Sequence, residues 1–346
     1  MNKIFTIIEG FVPETIEIME IRYKVLRQVL YKQPVGRRQL SRDLGYSERT
    51  IRSEIEALKN RGVIYTTAAG IFLSPGGEEM LRNVDELLPF MFSNQTLAQK
   101  LKHLFKLDEV LIVTGDSSED YLSRKDLGRA AARFLKKKLY PSCVVAVTGG
   151  STLAEMANAI NDGINIPDIM VVPARGGLGE EMEQQAGAIA AKIARVIGAQ
   201  YRLLHIPDNL EEGTVEILKK DIHINEVVNT IKSSNILLHG IGSALEMANR
   251  RDLSNKEKAY LSKKGAVGEA LRYYFDKKGN IVYEVPGIGL ELEDLENIDT
   301  IAAVAGGRNK AQAIEAVLNN GQQTVLITDE GAAKEIIQGK GDLYGS

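Results

Sequence analysis

The sequence predicts an α/β protein in two parts: a small helical head carrying a hairpin, then a larger, doubly wound body built on a mainly parallel sheet. Three observations carry this reading. Short β-branched runs alternate with helix-period segments from about residue 110 to the end, the pattern of repeated βα units. Glycine pairs follow four of those strands. And the charge is unevenly divided: Arg22 to Arg61 holds eleven Lys/Arg against four acids, a balance of +7, while the chain as a whole carries −3, so the remainder carries −10.

The chain of 346 residues is long enough for two domains. Hydrophobic residues at 44% and charged ones at 26% suit a globular protein with a sizeable core. A single cysteine, Cys143, opens a predicted buried strand; it permits no intrachain disulfide and fits a reducing cytoplasm. No apolar run reaches membrane-spanning length and no signal-peptide pattern opens the chain, so a cytoplasmic location is expected and no membrane contact.

Taken in order, residues 1–33 read as helical, with Ile18, Ile21, Val25, Leu26, Val29 and Leu30 in one stripe, and Pro34 ends the helix. Two short helices then meet at Gly45, with Ser47 as N-cap of the second and Thr50 where a capping-box Glu would stand. Leu40, Leu44, Ile51, Ile55 and Leu58 point inward; Glu48, Arg49, Thr50, Arg52 and Ser53 point outward. Two short strands over 63–73 follow as a wing. Helix-turn-helix, wing and basic charge together give a winged-helix head for double-stranded DNA, with Arg37, Arg38, Ser47, Glu48, Arg49, Thr50 and Arg52 as its contact set. A structural helical hairpin with surface arginines is the competing explanation.

Helices over 75–94 and 96–107 come next. Met80, Val84, Leu87 and Met91 are spaced as in a short coiled-coil seam, which fits subunit pairing as well as packing of the helix on its own domain. The expected division is therefore 1–73 DNA-binding, 74–107 helical linker and oligomerisation segment, 108–346 effector-binding, in a homodimer or homotetramer.

In the body, strands are expected at 110–113, 144–147, 169–172, 201–205, 236–238, 300–304 and 324–327, with a hairpin of 273–276 and 280–285. Helices are expected over 125–139, from Thr152, and around 184–197. The run Val144–Val147, Thr148-Gly149-Gly150-Ser151-Thr152 is a strand, a tight turn and a helix start, which suits an anion and above all a phosphate. It is neither a Gly-Lys-Ser/Thr phosphate loop nor a three-glycine dinucleotide fingerprint. Arg175 and Lys310 bring cations to two other glycine-rich loops. Arg250-Arg251 is a second anion site or a solvated face. Glu269, read as lying at a helix start, could accept from sugar hydroxyls or complement the helix dipole, and Gln185 is a polar contact or an exposed helix residue. Together they suggest a small polyol bearing phosphate, at one end or both.

These residues stand in longer stretches: Gly36-Arg37-Arg38, Ser47-Glu48-Arg49, Val172 to Glu180, Tyr201 to Leu204, His239-Gly240-Ile241-Gly242, Ala305-Gly306-Gly307 with Lys310, and Thr328 to Lys334. Through them the chain resembles, nearly end to end, the SorC-type sugar-phosphate-responsive transcriptional regulators. The resemblance implies a repressor of a glycolytic operon that includes glyceraldehyde-3-phosphate dehydrogenase, and fructose-1,6-bisphosphate as inducer with no cofactor. It also implies a body related to glucosamine-6-phosphate deaminase and the sugar-phosphate isomerases. Gly149, Gly150, Ser151 and Thr152 would hold one phosphate; Arg175, Gln185, Arg250, Arg251, Glu269 and Lys310 would complete the site. Ser151 stands where a relative has threonine, keeping the hydroxyl, and Arg308 and Asn309 replace smaller residues before Lys310. An isomerase or deaminase with an accessory head is the alternative. Against it, none of His103, His205, His223 and His239 falls with an acid in an acid–base pair, and no metal-ligand spacing occurs.

Overall fold

The computed structural model describes residues 11–91, 94–160, 166–178 and 181–344. The chain divides into two compact units, Met1–Gln95 and Thr96–Ser346. Among the described residues no helix is long and apolar enough to cross a membrane.

The first unit contains α1 (Pro13–Lys32), α2 (Arg37–Leu44), α3 (Glu48–Asn60), the strands β1 (Ile64–Thr67) and β2 (Gly70–Leu73), and α4 (Pro75–Met91). The part of the expected first helix before residue 11 lies outside the described residues. Val25, Leu26 and Val29 from α1 meet Leu40, Ile51, Ile55 and Leu58 in one core, which the wing closes with Ile64, Ile71 and Leu73. Leu81 of α4 is buried in that same core, so the near half of 74–107 packs on the head. The side chains of Leu87 and Met91, on the expected seam, lie outside the described residues.

Gly45 sits at φ 71 between α2 and α3, a conformation that side chains resist. Ser47 caps α3 by accepting from the Thr50 N–H at 3.1 Å, and its hydroxyl lies 2.8 Å from the Thr50 hydroxyl. Thr50 thus reaches the cap by its own hydroxyl where a glutamate would otherwise close the box. Ser47→Ala is expected to destabilise the head by about 1 kcal/mol, measured by urea unfolding without DNA; an unchanged midpoint would remove the cap from the account.

In the second unit, α5 (Asn94–Phe105) leads into a seven-stranded sheet ordered β3-β13-β12-β7-β4-β5-β6, parallel throughout. Its strands are β3 (Glu109–Val113), β4 (Val144–Val147), β5 (Met170–Pro173), β6 (Gln200–Tyr201), β7 (Ile236–His239), β12 (Thr300–Val304) and β13 (Val325–Asp329). Alternation along β4 feeds two cores. Val145 and Val147 face Leu127 and Leu135 of α6 (Tyr121–Lys138), Leu153 and Met156 of α7 (Ser151–Ala159), and Ile189 and Ile193 of α8 (Ala186–Ile197). Ala146 faces the other core, with Leu101 of α5, Ile231 of α10 (Ile222–Lys232), Ile314 and Val317 of α13 (Ala311–Asn320), and Ile336 of α14 (Glu330–Tyr344). Helices therefore cover both faces. The short α9 (Glu212–Leu218) precedes α10.

Between β7 and β12 the chain makes a second sheet, antiparallel and ordered β11-β10-β9-β8. It comprises β8 (Gly242–Ser243), β9 (Ala266–Ala270), β10 (Tyr273–Asp276) and β11 (Ile281–Glu284), with α11 (Ala244–Arg250) and α12 (Asn255–Lys263) after β8. Three expectations are corrected here. Glu269 lies inside strand β9, not at a helix start: Gly268 and Glu269 pair with Phe275 and Tyr274, and a Cβ on Gly268 would come 2.8 Å from the Ala313 carbonyl oxygen of α13. Helix-dipole complementarity is thereby ruled out for Glu269. The strand expected at 201–205 stops at Tyr201, because after Arg202 the chain leaves the sheet edge to bond the loop beyond β5, where Gly177 N–H donates to Ile206 O at 2.9 Å. Helix α6 starts at Tyr121, not Lys125, since Asp120 caps it through the Leu122 N–H.

Candidate functional site

Strand order reverses beside β4: β5 and β6 extend one way, β7, β12 and β13 the other. A crevice opens beyond the carboxyl ends at such a point. Here β4 and β7 are tied across it, with Gly240 N–H donating to the Thr148 hydroxyl at 3.0 Å. The turn after β4 needs both glycines. A Cβ on Gly149 would stand 2.5 Å from the Gln184 carbonyl oxygen, and Gly150 adopts φ 120 while its N–H donates to that same oxygen at 2.8 Å. Helix α7 then begins at Ser151 without a side-chain cap, leaving its first-turn N–H groups and positive dipole end toward the opening.

The cleft is lined by Gly149, Gly150, Ser151 and Thr152 on one side and by Arg175, Arg250, Glu269 and Lys310 around it, with Gly240 and Gly242 beneath. Eight of the ten expected effector residues are thus brought together. Gln185 stands at the N-cap of α8, with its amide oxygen 2.7 Å from where a Cβ on Gly177 would sit. Arg251 stands one layer behind the wall, its side chain fully buried.

That layer is a charged network. Arg175, 6% exposed, is ion-paired through Nη1 to Asp208, which is fully buried. Arg251 donates from Nε to the same Asp208 oxygen at 3.1 Å and from Nη2 to Glu269 Oε1 at 2.8 Å, and its Nη1 lies 3.4 Å from the Tyr274 hydroxyl. Glu269 Oε1 also accepts from the Arg272 N–H at 2.8 Å, closing the turn at Leu271–Arg272, where both φ values are positive. Burial pulls the Glu269 carboxyl upward, but Arg251 and then Arg175 outweigh it and hold it below the usual carboxylate range. Arg175 Nε and Asp208 Oδ1 are buried without a hydrogen-bond partner among the described residues. Arg175 lines the cleft, and its guanidinium, anchored on Asp208 behind the wall, suits an incoming phosphate.

Lys310 follows a single 3-10 turn, Arg308–Lys310, after Gly307. Burial pushes its ammonium below the usual lysine range, Arg250 and Arg124 push the same way, and Glu246 opposes them. A dianion entering the cleft would relieve that strain. His239, at the end of β7, is fully buried; burial pulls its pKa to about 4, and Nδ1 lies 3.1 Å from Gly240 O. Its imidazole is neutral near pH 7.

Two of the four glycine pairs serve the chain itself. A Cβ on Gly176 would stand 2.7 Å from the carbonyl oxygens of Ile206 and Pro207. Gly307 N–H donates to Asp329 Oδ2 at 2.7 Å, beside Ser117 N–H at 2.8 Å. In Pro207-Asp208-Asn209, Asp208 has the look of an ordinary turn aspartate, and only the strap from 206 to 208 over Gly176 and Gly177 brings it to Arg175.

In the first unit, Arg37, Arg38, Ser47, Glu48, Arg49 and Arg52 are exposed and Thr50 is half-buried, around the starts of α2 and α3. Arg52 Nε pairs with Glu56 at 3.1 Å and Arg38 Nε lies 4.0 Å from Glu48. Arg37 and Arg49 have no carboxylate partner among the described residues, so their charge is available to an external anion.

Comparison with known proteins agrees with both units. Residues 18–88 match the family described as "CggR N-terminal DNA binding domain", and residues 91–338 the family described as "Putative sugar-binding domain". The chain is 38% identical over 339 residues to the central glycolytic genes regulator of Priestia megaterium, covering 98% of this chain and 99% of the relative. To the protein of the same name from Bacillus subtilis it is 37% identical over 338 residues, with the same coverage. Among solved structures, a chain from Enterococcus faecalis described as a "putative SorC family transcriptional regulator" aligns with TM-score 0.65 and 38% identity, over 70% of this chain and 99% of its own.

Proposed function

Since the chain belongs to the SorC-type sugar-binding transcriptional regulators, we propose that it represses a glycolytic operon that includes glyceraldehyde-3-phosphate dehydrogenase and is released from it by fructose-1,6-bisphosphate. It is a glycolytic transcriptional regulator rather than an enzyme, as its relatives are. The observation that carries the choice of effector is the convergence of Arg175, Arg250 and Lys310 with the uncapped start of α7 in one cleft. One phosphate sits at Gly149–Thr152, its oxygens on the helix N–H groups and the Ser151 and Thr152 hydroxyls. Arg175, Arg250 and Lys310 neutralise the rest of the charge, Gln185 and Glu269 meet sugar hydroxyls, and Arg251 fixes Glu269 from behind.

The protein works in the cytoplasm as a homodimer or homotetramer, with the 74–107 segment between head and body contributing to assembly. Two heads meet operator half-sites, with Arg37, Arg38, Arg49 and Arg52 near phosphates and bases, and Ser47, Glu48 and Thr50 at the recognition helix start. For the sugar to turn a 99:1 preference for DNA into its reverse, it must favour the non-binding state by about 5.5 kcal/mol.

The test is fluorescence anisotropy on DNA from upstream of the target operon, at fixed salt because phosphate contacts make affinity steeply salt-dependent. Selective binding weakened by fructose-1,6-bisphosphate and unaffected by free fructose is the expected result. Selective binding indifferent to the bisphosphate would discard the ligand, and absence of selective binding would discard the repressor.

A further inference from the structure

The turns after β4 and β12 start from the same Gly-Gly pair and end differently. After β4, helix α7 begins without a side-chain cap and its first N–H groups are left to the cleft. After β12, the two successive N–H groups that follow Gly306 are taken by the chain's own carboxylates. Gly307 N–H donates to Asp329 Oδ2 at 2.7 Å, and Arg308 N–H to Asp116 Oδ1 at 3.2 Å. Successive backbone N–H groups at a glycine turn make a concavity for an anion, and here it is filled from within. From this turn an effector phosphate is therefore met by a side chain, that of Lys310, which lines the cleft.

Asp329 ends β13 and is fully buried. Its Oδ2 also accepts from Ser117 N–H at 2.8 Å and its Oδ1 from Ala332 N–H at 2.9 Å. One carboxylate thus joins the loop after β3, the loop after β12 and the first turn of α14, and both of its oxygens accept, as the ionised form requires. A Cβ on Gly306 would collide with that carboxylate, so the loop lies directly on it. Asp116, almost fully buried, is fixed in turn by the Ser118 N–H at 2.9 Å and the Ser118 hydroxyl at 2.6 Å. Gly307, at φ 99, then accepts from Lys310 N–H at 2.9 Å, which closes the 3-10 turn. Hydrogen bonds and one turn of backbone lead from Asp329 to Lys310 without a gap.

We propose that Asp329, with Asp116 beside it, is a positioning residue for Lys310: the two carboxylates fix the turn from which that ammonium meets the effector's phosphate. A lysine is a point charge on a flexible four-carbon stem, and the freedom it gives up on meeting an anion weakens binding. A stem whose base is already held has less freedom to give up. The inference rests on the reading of the cleft as a sugar-phosphate site that contains Lys310. Neither carboxylate lines the cleft, so their effect on the effector passes through the turn.

The experiment is titration calorimetry on the full chain with fructose-1,6-bisphosphate, comparing wild type, Asp329→Asn, Lys310→Gln and the double variant, with near-ultraviolet circular dichroism to show that each is folded. Lys310→Gln should weaken binding about tenfold, the loss expected when a charge-assisted hydrogen bond is removed. Asp329→Asn keeps the volume but puts an NH2 where an oxygen accepted. It should weaken binding about fivefold in the wild-type background and leave it unchanged in the Lys310→Gln background, because its effect passes through that ammonium. A merely structural role would act equally in both backgrounds, so an additive loss of about fiftyfold in the double variant would overturn the proposal. Tighter binding by Asp329→Asn would also overturn it, since the carboxylate would then be repelling the phosphate rather than placing the lysine. Should Asp329→Asn not fold, Asp116→Ala runs the same cycle, with a loss of about threefold expected in the wild-type background and none beside Lys310→Gln. Undiminished binding in Lys310→Gln, or no bisphosphate binding by wild type, would instead overturn the reading of the cleft on which the proposal rests.

Discussion

Arg175→Ala is expected to leave DNA binding intact and abolish release by sugar phosphate. The guanidinium is almost fully buried, lines the cleft and is anchored on Asp208. Hydrogen bonds to charged groups contribute about 1.5–3 kcal/mol each, and a bidentate pair is the strongest arrangement, so the loss should be on the order of 100-fold in effector Kd. The substitution also strips Asp208 of one of its two cations, but Arg251 remains at 3.1 Å, so the carboxylate is not left alone. The head is a separate compact unit with its own core, so affinity for DNA in the absence of sugar should match wild type. Anisotropy with and without fructose-1,6-bisphosphate measures both quantities on one sample. Equal release from mutant and wild type would take Arg175 out of the site.

How much of this was legible beforehand follows from the range of the interactions involved. The head could be read almost residue by residue, because a cap at Ser47, a left-handed turn at Gly45 and a 3.6-residue stripe are local events. Strands β4 and β12 are legible to the residue for a similar reason: buried parallel strands are continuous apolar runs with glycine turns after them. Glu269 reads from sequence as the start of a helix, because Gly-Glu-Ala carries little β-propensity, and it is a strand residue only through pairing with Tyr274 and the close approach of α13. The cleft was legible where it depends on loop composition, and illegible where it depends on what lies behind the loops. Nothing local marks Asp208, 33 residues from Arg175, or distinguishes Arg251 from its neighbour Arg250, although one is a fully buried strut and the other lines the cleft. The glycines at 176 and 307 also show that a glycine-rich loop at a sheet edge need not face a ligand: these admit the chain's own backbone and carboxylates.

The strut makes the second large effect. Arg251→Met keeps the length of the side chain and removes the charge that Asp208 and Glu269 share. Breaking a buried pair from one side costs about 3–5 kcal/mol, equivalent to a Tm lower by roughly 6–20 °C for a unit of this size. The pH dependence separates this mechanism from a mere packing defect. In the wild type, Arg251 and Arg175 together hold the Glu269 carboxyl below its usual value despite burial, so its contribution is fully present above about 4.5 and is lost only as the pH falls through the lower folded value. In the variant burial prevails, the folded carboxyl rises above the unfolded one, and its contribution is lost instead as the pH rises toward 7. His239, held near 4 against 6.5 when unfolded, lowers stability on acidification from 6.5; the Glu269 charge raises that folded value, and weakening it leaves the buried imidazole neutral from pH 5 to 7, so over that range the slope is shared by the two proteins. The difference between the two proteins therefore isolates the carboxylate: urea unfolding at pH 7, 6 and 5 should show the gap narrowing as acid is added. A gap that stays constant would mean that Arg251 acts by filling space, and that the charge on Glu269 is held by Arg175 and the backbone alone.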